Sequence, residues 1–229
     1  MNPKVIYETE DLAVLDKPAG MLTHPAKRGE QETLASWILK KYPEIHGVGQ
    51  EGRFGIVHRL DKETSGLLVV AKNQKTYELL KKLFHDRRVE KRYLALVWGA
   101  FKQERGIIEK EIAAEGGRRR TVEVWSQKET GKTRAAATKW RVAEHLGDYS
   151  LLDIQPLTGR THQIRVHLKS IGHPIVCDPL YSGKKFCPEE LRRMFLHAYF
   201  LKIPLASNVV IEMEISLPDN LQSFLRIIR

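Results

Sequence analysis

Cysteine is scarce in this chain. Cys177 and Cys187 are the only two in 229 residues, too few for a disulfide framework and without the spacing of a paired zinc-ligand set. The opening segment, Met1 to Asp11, is mixed polar and acidic, so no secretory signal is read in it. Both cysteines lie in a loop-like stretch and are therefore expected as free thiols. Long apolar runs are missing too, and the longest fall far short of the roughly 20 residues that cross a bilayer. No lipidation signal and no basic amphipathic helix points to a membrane surface. There are no repeats, low-complexity tracts or linker-like stretches. The expectation is one domain over residues 1–229, in the cytoplasm, with no membrane contact.

Acidic residues are also in deficit. Lys and Arg number 38 against 28 Asp and Glu, a net charge of +10 and a pI near 9.6. A basic surface of that size favours a polyanionic partner. Hydrophobic residues make up 42% and charged residues 29%, the balance of a globular protein with a real core rather than a disordered chain.

Val5-Ile6-Tyr7 and Leu12-Ala13-Val14-Leu15 read as two short strands around an acidic turn. Thr33 is placed to cap a helix carrying Leu34, Trp37, Ile38 and Tyr42, which Pro43 stops. Asn73 is placed to cap a second helix with Tyr77, Leu80, Leu83 and Phe84 on one stripe. Leu67 to Ala71 and Tyr93 to Trp98 are strands, and Ile107 to Trp140 alternates like antiparallel strands joined by basic turns. After a strand from Tyr149 to Gln155, Thr161 is expected to cap a helix with Ile164, Leu168 and Ile171 on one face. Strands over Met194–Leu205 and Val209–Ile215 and a closing helix over Leu221–Ile228 complete the pattern. Strands and helices do not alternate as a βαβ series, so the fold class is α+β, with a mixed, mostly antiparallel sheet flanked by helices.

The richest stretch is His58-Arg59-Leu60-Asp61-Lys62-Glu63-Thr64-Ser65-Gly66, immediately before the apolar strand. It sets one carboxylate, Asp61, among cations and turn residues on a loop carried by a rigid sheet, where chemistry tends to be placed. For a lone Asp the plain reading would be a solvated turn. The whole string, however, resembles the HRLDxxTSG signature of the RluA-type pseudouridine synthases. Three further segments resemble that family's elements, in its order. They are Lys17-Pro18-Ala19-Gly20, Arg92-Tyr93-Leu94-Ala95, and Thr158-Gly159-Arg160-Thr161-His162-Gln163-Ile164-Arg165-Val166-His167, the last followed by Gly172-His173-Pro174-Ile175 and Asp178. Four motifs in order are far more specific than one.

The resemblance implies a pseudouridine synthase catalytic fold, with Asp61 as the catalytic residue, Arg165 as the cation beside it and Tyr93 as the active-site tyrosine. These residue types suit the chemistry. Isomerising uridine breaks the bond from ribose C1′ to base N1, turns the uracil, rejoins it through C5 and releases the C5 proton. A carboxylate near the sugar attacks C1′ or removes a ribose proton, and either role needs it ionised and poorly hydrated. Burial alone raises a carboxyl pKa, so a fixed guanidinium beside it is what keeps the charge. Tyr93 can stack on uracil, although a strand also selects tyrosine for its core. Arg59 is suited to fill the gap left when a base leaves its stack. Lys17, His58, Arg160, His162 and Gln163 complete the candidate substrate-binding set, with structural hydrogen bonding the plainer role for the two histidines.

The basic turns at Arg118–Arg120 and Lys132–Arg134, with Arg87, Arg88, Lys91 and Arg92, can meet RNA phosphates. Other readings fail. Gly131-Lys132-Thr133 has Ser126 where a P-loop needs glycine, and Leu60 separates His58-Arg59 from Asp61, unlike a kinase catalytic loop. A zinc site from His162, His167, His173 and Cys177 fails because the gap of five puts His162 and His167 on different faces. The rival of another class is an RNA-binding or RNA-folding protein without turnover. Asp61 speaks against it, because a carboxylate in an RNA cleft repels phosphate. The KPxG-like element begins at Lys17, leaving no room for the S4-type domain of longer relatives. The expectations are RNA, ribosomal or transfer, as partner, no cofactor or metal, no obligate protein partner and a monomer.

Overall fold

Both strands expected about the acidic turn form, as β1 (Lys4–Glu8) and β2 (Leu12–Lys17). The computed structural model describes residues 2–25, 32–115, 118–122, 133–206 and 208–229. Further along the chain come α1 (Leu34–Lys41), β3 (Ser65–Ala71) and α2 (Gln74–His85). Next are β4 (Glu90–Trp98), β5 (Arg105–Glu109), β6 (Glu111–Glu115), β7 (Arg118–Val122), β8 (Ala137–Leu146) and β9 (Tyr149–Pro156). The last elements are α3 (Gln163–Ser170), β10 (Leu196–Ala206), β11 (Val209–Glu214) and α4 (Asp219–Ile228). The class is α+β, and the sheet is mixed and mostly antiparallel.

The chain forms two compact units. The first comprises Met1–Glu90 and Ala198–Ile215. Its strands run in the order β1-β2-β3-β10, with β11 on β10. The pairs β1–β2, β2–β3 and β10–β11 are antiparallel, and Lys17 stands opposite Gly66. All seven residues of β3 are buried, which is why its sequence reads as a continuous apolar run rather than an alternation. Thr33 and Ser36 cap α1 reciprocally: the Ser36 amide donates to Thr33 Oγ1 at 3.2 Å and the Thr33 amide to Ser36 Oγ at 3.0 Å. Asn73 Oδ1 accepts from the Thr76 amide at the start of α2, at 2.9 Å.

The second unit comprises Lys91–His197 and Ser216–Arg229. Its strands follow the antiparallel order β4-β9-β8-β5, and β6 and β7 form a separate hairpin. Leu221, Phe224 and Leu225 of α4 close its main core on Leu96, Leu151 and Phe195. A smaller core gathers Ile112, Ala136, Val166 and Tyr181. Of the basic turns, Gly116, Gly117, Gly131 and Lys132 lie outside the described residues.

Two expectations are corrected. Thr161 does not cap α3; His162 takes the N-cap position in the left-handed region (φ +56°) and offers no capping bond. The side chain of Gln163, the first helical residue, folds back instead and its Oε1 accepts from the Arg160 amide at 3.0 Å. Nor are the cysteines free thiols: Cys177 and Cys187 form a disulfide, their Cα atoms 4.6 Å apart. The thiol expectation rested on compartment, whereas the turn that begins at Cys177 (φ +58°) brings the two together.

Gly66 sits in β3 at φ +120°, where a Cβ would be driven into the carbonyl oxygen of Ala198 on β10. Backbone cannot yield as a flexible side chain can. Gly66→Ala is therefore expected to destabilise the protein by about 2 kcal/mol or more, read from the urea midpoint at constant m-value.

Candidate active site

The His58–Gly66 loop divides its side chains by direction. Arg59 is exposed and Asp61 half-buried, while Leu60 between them is buried, as are Thr64 and Ser65. The buried members act as fastenings. Thr23 Oγ1 donates to the Leu60 carbonyl at 2.8 Å and accepts the Leu60 amide at 3.3 Å. His58 Nε2 accepts the Val69 amide at 3.0 Å, and its ring stacks on Phe84 with centroids 4.4 Å apart. That acceptor role puts the proton of the neutral ring on Nδ1. The Thr64 amide closes the turn on the Asp61 carbonyl at 3.1 Å.

Lys17 is fully buried. Its ammonium donates to the carbonyls of Pro18 and Met21, both at 2.8 Å, and of Lys62 at 3.3 Å. The Gly20 amide reaches the same Lys62 oxygen at 2.8 Å. The KPxG-like element thus clips the backbone just past Asp61.

His24 and Arg53 join this loop although no motif pointed to them. Arg53 Nη1 donates to His24 Nε2 at 3.2 Å. Burial, then the nearby charges of Arg53 and Arg59, push the His24 pKa down to about 4. Two guanidinium groups around a neutral imidazole give this side of the loop a basic face.

The remaining candidates belong to the second unit. Tyr93 lies in β4 opposite Ile154 and is 8% exposed. Gln163 is buried with its amide saturated. Its Oε1 accepts from Thr158 Oγ1 at 2.6 Å and from the Arg160 amide, and its Nε2 donates to the Ala137 carbonyl at 2.9 Å and to Thr138 Oγ1 at 3.0 Å. Thr138 in turn meets His167 Nδ1 at 2.9 Å, and His167 Nε2 meets the Lys110 carbonyl at 3.1 Å. A carbonyl only accepts, so Nε2 carries the proton and Thr138 donates to Nδ1. Burial lowers the His167 pKa and keeps the ring neutral. Arg160 Nε donates to the Ala135 carbonyl at 3.2 Å.

Arg165 is 3% exposed and forks onto Asp178, itself 1% exposed. Nε donates to Oδ2 at 2.7 Å and Nη2 to Oδ1 at 2.9 Å. The guanidinium lies 5.1 Å from the centre of the Tyr181 ring. Tyr181 OH meets His162 Nδ1 at 2.9 Å. No motif marks Tyr181, and Asp178 stands in the sequence only as a residue that follows the Arg165 motif. Among the described residues no group of three or more His, Cys, Asp or Glu comes together to hold a metal. His173 instead donates from Nδ1 to the Trp98 carbonyl at 2.8 Å, and Cys177 is bridged to Cys187.

Comparison with known proteins gives this arrangement a family. The model of the RNA pseudouridylate synthase family matches residues 11–170, a span containing the Asp61 loop, the Tyr93 strand and Arg165. The chain belongs to that family. An uncharacterised RNA pseudouridine synthase of Bacillus subtilis is 35% identical over 100% of this chain and 74% of its own length. The ribosomal large subunit pseudouridine synthase D of Borreliella burgdorferi is 39% identical over 89% of this chain and 62% of its own. Four of the curated relatives are spanned over only 56–63% of their lengths. The human RNA pseudouridylate synthase domain containing 1 structure is 32% identical, covers 95% of this chain and 84% of its own, and superposes with a TM-score of 0.74. Among the described residues no helix of this pseudouridylate synthase family member is long and apolar enough to cross a membrane.

The depressed His24 pKa has a sign that can be checked. Unfolded, the ring titrates near 6.5; folded, near 4. Between those values the unfolded chain takes up a proton that the folded chain refuses, so this contribution to stability is full above about pH 6.5 and is lost as the pH falls toward 4. His197, which burial and Arg193 push down to about 4, adds a parallel slope. His24→Gln is expected to have a shallower fall in urea midpoint between pH 7 and pH 4 than the parent protein, with the His197 share remaining.

Proposed function

We propose that this protein is an RNA pseudouridine synthase that isomerises specific uridines in a structured RNA, ribosomal or transfer, with Asp61 as its catalytic carboxylate. The family match over residues 11–170 carries this reading. Asp61 attacks C1′ or takes a ribose proton, the C1′–N1 bond breaks, and the uracil turns and rejoins through C5. Release of the C5 proton completes the reaction. Tyr93 supports the detached base, and Arg165 is the cation that favours the charged form of the carboxylate. A guanidinium has five N–H donors, of which Asp178 takes two.

Arg59 fills the place of the extruded base, and Arg160, His58 and His162 line the RNA side. The buried partners of Lys17 and Gln163 support a holding role for both, Lys17 for the Asp61 loop and Gln163 for the Arg160 turn. Arg53 adds phosphate-binding charge beside Arg59, with the neutral His24 ring between the two guanidinium groups. The chain acts as one catalytic domain and a monomer in the cytoplasm, without metal or cofactor. The name of the Borreliella relative makes large-subunit ribosomal RNA the first substrate to test.

The test is tritium release from C5-labelled uracil in transcribed ribosomal and transfer RNA fragments, scored beside RNA binding. The parent protein is expected to release tritium, and Asp61→Asn to bind the same RNA and release none. Turnover by Asp61→Asn would remove Asp61 from the chemistry; binding without release by the parent on total cellular RNA would favour a non-catalytic RNA-binding protein. Arg165→Met is expected to lose about a hundredfold or more in rate with a modest loss of affinity, and a rate close to the parent would take Arg165 out of the site.

A further inference from the structure

Arg165 is held by one short segment. Beyond its fork on the guanidinium, Asp178 Oδ1 accepts the amides of Leu180 and Tyr181 at 2.9 and 3.0 Å. Ser182 Oγ donates back to the Asp178 carbonyl at 2.6 Å. The Tyr181 ring lies beside the guanidinium, and its hydroxyl accepts the Arg119 amide at 3.0 Å. These residues bracket the cation between a carboxylate and an aromatic face.

The same segment begins at Cys177 and is closed by the bridge to Cys187. Its far side is exposed at Lys184, Lys185 and Phe186, Phe186 at 68%, and rests on Trp98 of the main core, whose ring meets that of Phe186 edge-on at 5.5 Å and lies 5.0 Å from Lys185 Nζ. Just past the bridge, the Leu191 and Arg192 amides bond the Pro188 carbonyl, and Leu191 is buried in the main core. The disulfide therefore ties the residue before Asp178 to an anchored turn, bypassing the exposed stretch. Cys177 also adopts φ +58°, a region that non-glycine residues occupy only when their surroundings enforce it.

We propose that the disulfide-closed segment Cys177–Cys187 positions Arg165 for catalysis, through Asp178 and Tyr181 as positioning residues, and that opening the bridge with a dithiol slows turnover without weakening RNA binding. This rests on the reading of Arg165 as a catalytic cation. In the opening step the dithiol supplies two electrons and two protons. The S–S bond breaks, Cys177 and Cys187 become thiols, and the dithiol closes to its own disulfide. Freed from the bridge, the exposed stretch gains conformations and the Asp178 turn opens more often.

The experiment measures kcat and KM for pseudouridine formation by the full chain before and after dithiothreitol. In parallel it measures solvent exchange of the Arg165 Nε–H by NMR, assigned by its loss in Arg165→Met. Reduction is expected to lower kcat by about tenfold with KM unchanged, to speed Nε–H exchange, and to reverse on reoxidation. Cys177→Ser with Cys187→Ser should match the reduced protein and ignore dithiothreitol. Asp178→Asn should lower kcat in the same way, and Tyr181→Phe, which keeps the ring, should retain more of kcat than Tyr181→Ala. Unchanged kcat and unchanged exchange on reduction would overturn the proposal, as would a change in KM alone. If Arg165→Met turns over normally while exchange still responds to reduction, the clamp stands and the catalytic reading of Arg165 is what fails. The reduction arm needs no substitution, so a variant that does not fold leaves the question decidable.

Discussion

Arg165 and Asp178 are both almost wholly withdrawn from water, and a buried charge tolerates no loose partner. Much of the second unit is arranged around satisfying that pair. The Asp178 carboxylate takes four hydrogen bonds, two from the guanidinium and two from the turn that follows. That turn delivers Tyr181, whose hydroxyl bonds the hairpin strand β7 at Arg119 and meets His162 at the head of α3. A single ion pair thereby sets the place of a helix, a loop and a hairpin.

The Asp61 loop of the first unit is fastened differently. Around Asp61 the work falls to a threonine hydroxyl, a neutral imidazole and carbonyl oxygens gathered by the Lys17 ammonium. Charge is turned toward solvent at Arg59 and Lys62 and, in part, at Asp61 and Glu63. Leu60 explains why Arg59 and Asp61 can face outward from one short loop: burying it orients its two neighbours the other way.

Local signals in the sequence were well read. Thr33 and Asn73 cap the helices assigned to them, and the apolar run at Leu67–Ala71 is a wholly buried strand. These features depend on neighbours in the chain, so periodicity and caps disclose them. What escaped was decided by distant contacts. Thr161 has the chemistry of a cap, but left-handed His162 takes the N-cap position, and Gln163 ties the start of the helix back to Arg160 and across to Thr138. Tyr181 looked like any loop aromatic until the turn at Asp178 carried it to Arg165. His24 and Arg53 are far apart in sequence and gain meaning only where they meet Arg59. The Cys177–Cys187 bridge escaped because cellular compartment says nothing about where a left-handed turn places two sulfur atoms.

The first unit is discontinuous, drawing its fourth strand from Ala198 onward. A ribosome makes its first ninety residues long before that strand exists. During the interval the Gly66 end of β3 lacks the strand that packs on it, while its far end is already bridged by Ile56 at Val70 and the Val69 amide is taken by His58. The nascent chain therefore passes more than a hundred codons with this edge only partly covered. Gly66 bears on this interval as well. Lacking a side chain, it lets the later strand dock close against β3, so that a strand made late completes a sheet begun early.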